Sequence, residues 1–121
     1  MLATDVGLLA RTPDEIRAEL ARALRVRRDM VDAGDRDEVR RIDAHTTAYR
    51  WLLGDTDTAP VTGRPGPPRT LRDLADEQAA GRDHAEQPTR PYNDPERAYL
   101  EGVFDAIAWA RGQLLDRPSG Y

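Results

Sequence analysis

The stretch from Thr12 to Gly54 constrains this chain most, because it carries its own start, turn and stop signals. Thr12-Pro13-Asp14-Glu15 opens it. A threonine can cap a helix, proline suits the first helical position, and a glutamate three residues after the cap can answer the cap's own N–H. Ile16, Leu20, Ala23, Leu24, Met30 and Val31 then recur at three- and four-residue spacing, which predicts a helix from Pro13 to Ala33 with one apolar stripe. Gly34 supplies a left-handed cap, and Asp35 or Asp37 can start a second helix. Val39, Ile42, Thr46, Tyr49 and Leu53 form its stripe, and Gly54 ends it. Two helices joined by so short a turn fold back on one another, so residues 12–54 read as an antiparallel hairpin. Arg27 interrupts the first stripe. Folding about Gly34 sets it opposite Asp43, which predicts a half-buried pair that fixes register; the alternative is a binding role for Arg27.

The remainder reads as additions to that hairpin. Residues 1–11 are an apolar arm with Val6, Leu8 and Leu9, packed on the hairpin or on a neighbouring subunit. Residues 55–69 hold too many Pro and Gly for a helix and predict an extended strap. Thr70 and Asp73 repeat the capping pattern ahead of a short helix over 70–81. Asp94-Pro95-Glu96 starts a long helix over 94–115, with Tyr99, Leu100, Val103, Phe104, Ile107, Ala110 and Leu114 on a wide apolar face. At 121 residues this is one domain. The expected fold is all-α: the hairpin, with a long C-terminal helix packed across it, joined by the strap and the short helix. With 39% hydrophobic residues and a Pro/Gly-rich middle, the core is thin, so an oligomer or partner is expected to add burial.

Two features suggest contacts with another surface. Trp51 lies off the stripe of its helix and needs something else to bury it: the C-terminal part of the chain or another chain. Ala98, Gly102 and Ala106 place small residues at four-residue spacing on the long helix, with Trp109 beside them. Glycine inside a helix costs about 1 kcal/mol against alanine, and close approach of another backbone would compensate. There is also an internal echo. Ile42-Asp43, Ala48, Trp51 and Gly54 align without gaps on Leu100-Glu101, Ala106, Trp109 and Gly112. Chance similarity of two amphipathic helices and a duplicated helix unit both account for it.

Catalytic and cofactor patterns are missing from the sequence. There is no Cys, there are two His, and the lone Ser is Ser119. Gly63-Arg64-Pro65-Gly66 does not make a phosphate loop. No His or Glu spacing suits a metal on a helix. His84, among polar neighbours, reads as a surface residue. The expectation is therefore a protein that is not an enzyme, with no cofactor and no metal. The net charge of −4 argues against a broad nucleic-acid face. Arg17, Arg25 and Arg28 share one face of the first helix and are the basic patch an alternative reading would use. No apolar run reaches membrane-spanning length, and no secretory segment is legible, so synthesis in the cytoplasm is expected, with a virion as a further location.

The segments Ala48-Tyr49-Arg50-Trp51-Leu52-Leu53-Gly54-Asp55-Thr56-Asp57-Thr58-Ala59-Pro60-Val61-Thr62-Gly63-Arg64 and Glu101-Gly102-Val103-Phe104-Asp105-Ala106-Ile107-Ala108-Trp109-Ala110-Arg111-Gly112 resemble small uncharacterised helical proteins of actinobacteria and their phages. That resemblance carries no activity or site residue across; it implies a high-GC source and a phage setting. The leading expectation is a non-enzymatic assembly or interaction protein, such as a small phage structural or accessory protein, working through helix–helix contacts in an oligomer. Its partner is protein, either itself or a larger assembly, and its contact residues are Trp51, Trp109, Ala98, Gly102, Ala106, Leu8 and Leu9. The alternative is a small regulator or inhibitor that binds a host or phage macromolecule, nucleic acid included, through Arg17, Arg25 and Arg28.

Overall fold

The computed structural model describes residues 9–87, 95–116 and 118. It is all-α, with α1 over Pro13–Ala33, α2 over Arg36–Leu52, α3 over Leu71–Ala85 and α4 over Pro95–Ala110. The local chemistry sets most boundaries. Thr12 accepts from the Glu15 N–H while the Glu15 carboxylate accepts from the Thr12 N–H, a reciprocal cap. Thr70 and Asp73 do the same for α3. Gly34, at φ 76°, closes α1: its N–H donates to the Val31 carbonyl and that of Asp35 to the Met30 carbonyl.

The four helices form two hairpins. In the first, α1 runs against α2, and Arg27 Nε lies 2.5 Å from Asp43 Oδ1. In the second, α3 runs against α4, with Gly81 beside the Leu100 carbonyl and Gln78 bonded to Arg111. The hairpins join through α2 and α4, which lie parallel. Arg40 meets Glu96 near their starts, Ala44 meets Gly102 in the middle, and the Tyr49 ring meets the Trp109 ring near their ends. The core sits along this seam: Ile42, Ala44, Ala48, Tyr49 and Leu52 of α2, with Val103, Ala106, Ile107 and Ala110 of α4. Ile16 of α1 and Leu74 of α3 complete it from opposite sides.

Two expected helix ends shift, and the strap takes another conformation than expected. α3 runs on to Ala85, because Gly81 is a point of close approach and not a stop. A Cβ there would stand 3.0 Å from the Leu100 carbonyl oxygen. α4 stops at Ala110, although Gln113-Leu114-Leu115 are good helix formers, because Gly112 turns into the left-handed region at φ 80°. The proposed cap Asp94 lies outside the described residues. The strap is a folded loop and not a plain extended spacer. The Gly63 N–H donates to the Ala59 carbonyl and the Gly66 N–H to the Asp57 carbonyl. Glu77, 2% exposed, holds the loop on α3 by accepting from the Val61 and Thr62 N–H groups and from the Thr62 hydroxyl.

Candidate interaction surface

The residues nominated from sequence for contacts between chains mostly face inward. Trp51 is 3% exposed and its indole Nε1–H donates to the Gly66 carbonyl, so the strap covers it. Trp109 is 5% exposed; it lies edge-on to Tyr49 at 5.8 Å, and the Arg11 guanidinium sits 5.0 Å over its ring. Ala98, Gly102 and Ala106 are buried within the chain. A Cβ on Gly102 would come within 2.8 Å of both the Ala44 Cβ and the Arg41 carbonyl oxygen. The close approach that Gly102 permits is therefore made by α2 of the same chain. All five residues pack within the chain. Leu9 packs against the core cluster, and Leu8 lies outside the described residues.

The basic face of α1 is dispersed. Arg17 lies 3.6 Å from Asp55, whereas Arg25 and Arg28 are exposed. Arg27 is occupied by Asp43. His84 is exposed, next to Gln87.

What remains for a partner is the free end of the first hairpin. Met30 and Val31 of α1 and Val39 of α2 line an open apolar groove of about 570 Å³ around the Gly34 turn, with Asp35, Arg36 and Arg40 at its rim. Val31 is 51% exposed, and Leu24, two turns back on α1, is 38% exposed. The stripe that buries Ile16 and Ala23 leaves Val31 half exposed here; among the described residues α4 touches this end at the rim, where Glu96 pairs with Arg40. Sequence periodicity correctly put Met30 and Val31 on an apolar stripe. It did not show that Val31 stays half exposed, which depends on where α4 ends up.

A second feature lies inside. His45 and Tyr49, one turn apart on α2, have no exposed surface, and among the described residues neither imidazole nitrogen nor the Tyr49 hydroxyl has a hydrogen-bond partner. Burial, helped by the Arg41 charge, pushes the His45 imidazole down to about 4. Burial, then the Glu19 carboxylate, raises the Tyr49 phenol far above its usual value. Asp105 is also raised, by burial. His45 stays neutral near pH 7, and nothing in the arrangement opens it to substrate. Sequence reading passed over His45; its position one turn before Tyr49 on the buried stripe was the available signal. No group of His, Cys, Asp and Glu that could hold a metal ion occurs among the described residues, and no described helix is long and apolar enough to cross a membrane. No protein-family model, curated protein or solved structure matches the chain.

Proposed function

We propose that this chain is a non-enzymatic assembly protein that joins a second copy of itself through the free end of the α1–α2 hairpin. The observation that carries this reading is the apolar groove at Met30, Val31 and Val39, continued by Leu24, which the described residues leave open. A second hairpin end suits it. The groove has an apolar floor and a rim of both signs, Asp35 against Arg36, with Arg40 beside them paired to Glu96 of α4. Two such ends packed about a twofold axis therefore bury apolar against apolar and set acid against base. The setting is that of a small structural or accessory protein of a phage, in line with the sequence resemblance. The regulator reading through Arg17, Arg25 and Arg28 has less behind it, since Arg17 pairs with Asp55, and Asp29 and Asp32 follow Arg25 and Arg28 by one helical turn.

The test is light-scattering mass on a sizing column, with absorbance followed at protein and nucleic-acid wavelengths. The wild type is expected to run as a defined multimer free of nucleic acid. A Val31→Glu variant is expected to run as a monomer with unchanged helicity, because Val31 is exposed and its loss leaves the core intact. A monomeric wild type, or a multimer that survives Val31→Glu, overturns the proposal. A species that carries nucleic acid moves the function to the arginines.

A further inference from the structure

The echo between α2 and α4 extends back into α1 and α3. The ungapped register that sets Trp51 on Trp109 also sets Thr12 on Thr70, the two reciprocal caps, and Ile16 on Leu74, both fully buried. It sets Glu19 on Glu77, 3% and 2% exposed, Ala23 on Gly81, both buried, and Ala44 on Gly102, which meet at the seam. The ends of α2 and α4 match bond for bond. Gly54 and Gly112 both sit at φ 80° and donate to the carbonyls of Trp51 and Trp109, each at 3.0 Å. Asp55 and Gln113 donate to the carbonyls of Arg50 and Ala108, each at 2.8 Å. Chance likeness of two amphipathic helices accounts for their apolar spacing. It does not account for one register that carries caps, buried glutamates, close-approach positions and stops together.

The contacts between the hairpins are reciprocal as well. Across a twofold axis, where one residue meets a second, their counterparts meet with the roles reversed. Arg41 of α2 acts on the Asp105 carboxyl of α4. Thr47, the counterpart of Asp105, acts on the phenol of Tyr99, the counterpart of Arg41. The segments that enter the first helices cross over in the same way. Ala10 and Arg11, ahead of α1, donate their N–H groups to the Ala110 carbonyl at the end of α4. Residues 66–69, ahead of α3, lie around Trp51 at the end of α2, whose indole N–H donates to the Gly66 carbonyl. Arg11 and Arg69 hold the same place in the register, and each lies beside the other hairpin's tryptophan. The chain is a tandem pair of helical hairpins related by a pseudo-twofold axis that passes between Ala44 and Gly102.

We infer that the chain is one dimerising hairpin repeated in tandem, and that the seam faces of α2 and α4 are two copies of a single self-complementary surface, each the other's partner. Small residues at the axis let the two backbones approach, and the aromatic contact of Tyr49 with Trp109 closes one end of the seam. A free second copy of the hairpin is unnecessary because the chain supplies it. Another copy of this chain finds the seam filled and adds at a different face. The inference stands without the assembly reading, whose groove lies at the far end of the first hairpin.

The experiment exchanges the seam residues on the full chain. One set is Ala44→Gly, His45→Val and Tyr49→Ile on α2; the other is Gly102→Ala, Val103→His and Ile107→Tyr on α4. Each set alone should lower the urea midpoint. The α4 set sets a Cβ at Gly102 within 2.8 Å of the Ala44 Cβ. The α2 set puts glycine against glycine and takes the Tyr49 ring from Trp109. Carried together, the two sets keep the wild-type composition and reverse every role. Twofold packing then rebuilds the contacts, and the midpoint should recover at least about half of the larger single-set loss. Losses that add, or a midpoint below both single sets, overturn the inference. If the exchanged chains do not fold, the wild type decides by NMR. The Trp51 ring should show nuclear Overhauser contacts to the Ile107 methyls, the reverse of Tyr49 on Trp109, and their absence overturns the inference. Val31→Glu should leave these contacts in place, so failure of the assembly reading and failure of this one are distinguishable.

Discussion

The α1–α2 and α3–α4 hairpins start from the same plan and part where their surroundings differ. Both open on a reciprocal threonine cap, both sink a glutamate four-fifths or more out of water on the first helix, and both end their second helix on a Trp-x-x-Gly turn. The first helix of the first hairpin has 21 residues against 15 in the second. At 1.5 Å per residue that is about 9 Å of extra helix, and Met30 and Val31 lie at its end, where among the described residues Val31 stays half exposed. The second helices differ inside. Where α4 has Val103 and Ile107, α2 has His45 and Tyr49, both fully buried. The shared features explain the fold: caps, stops and the small-residue seam. The departures are confined to the first hairpin, an apolar end outside and unsatisfied polar groups inside, and neither is needed to make the second hairpin stand. Departures from a shared plan that cost stability mark where function is to be sought.

The comparison is most easily broken at the axis itself. Ala44 and Gly102 correspond to each other and touch, and only one of the two positions has room for a Cβ. Gly102→Leu should therefore cost roughly 3 kcal/mol or more, since the obstructing atoms are the Ala44 Cβ and the Arg41 carbonyl and not a flexible side-chain end. Urea unfolding followed by circular dichroism gives the value. A folded Gly102→Leu protein with an unchanged midpoint would mean that α2 and α4 do not meet there.

The parts of this arrangement that sequence disclosed are those set by local chemistry. Thr12, Glu15, Gly34, Thr70 and Asp73 act on backbone groups within a few residues, so their roles follow from spacing alone. The Arg27–Asp43 juxtaposition follows from the turn at Gly34 and helical geometry. What stayed hidden depends on distant neighbours. Gly81 reads as a helix stop and is in fact a gap for the Leu100 carbonyl. Gly102 was read as a close contact, but sequence does not say with which helix. Trp51 needed a cover, and a Pro-rich segment gave no sign that it would fold back to accept the indole N–H at Gly66. Glu19 and Glu77 sit in helices crowded with charge, where a glutamate normally faces water. Only their shared place in the repeat sets them apart. The apolar end of the first hairpin was half legible: the stripe could be read, the exposure of Val31 could not.

The second prediction sharpens the contrast between His45 and Val103. His45 is pushed down to about 4 in the folded chain from an ordinary value of 6.5. Between these values the unfolded chain binds a proton that the folded chain refuses, so stability from this residue falls as pH drops from 6.5 and levels off below 4. The full difference is on the order of 3 kcal/mol. His45→Val places the second hairpin's residue in the first. Stability of wild type minus variant, measured by urea unfolding across pH 4 to 7, should rise with pH. A flat difference would mean that His45 finds a proton acceptor or reaches water.

Tyr49 tests the same contrast without a titration. Its hydroxyl is buried with no partner among the described residues, while its ring packs edge-on against Trp109 at 5.8 Å. Tyr49→Phe keeps the ring and that packing. It removes an oxygen whose hydrogen bonds to water are lost on folding and are not replaced among the described residues. A satisfied hydroxyl would make this substitution destabilising by about 1 kcal/mol; an orphaned one should make it neutral or stabilising by up to about 1 kcal/mol. Thermal unfolding should therefore show a midpoint unchanged or a few degrees higher, roughly 4–8 °C per kcal/mol in a domain near this size. A clear fall in the midpoint would show that the hydroxyl is bonded in solution. The first hairpin would then be as well satisfied inside as the second, and its exposed end would be the one departure left to explain.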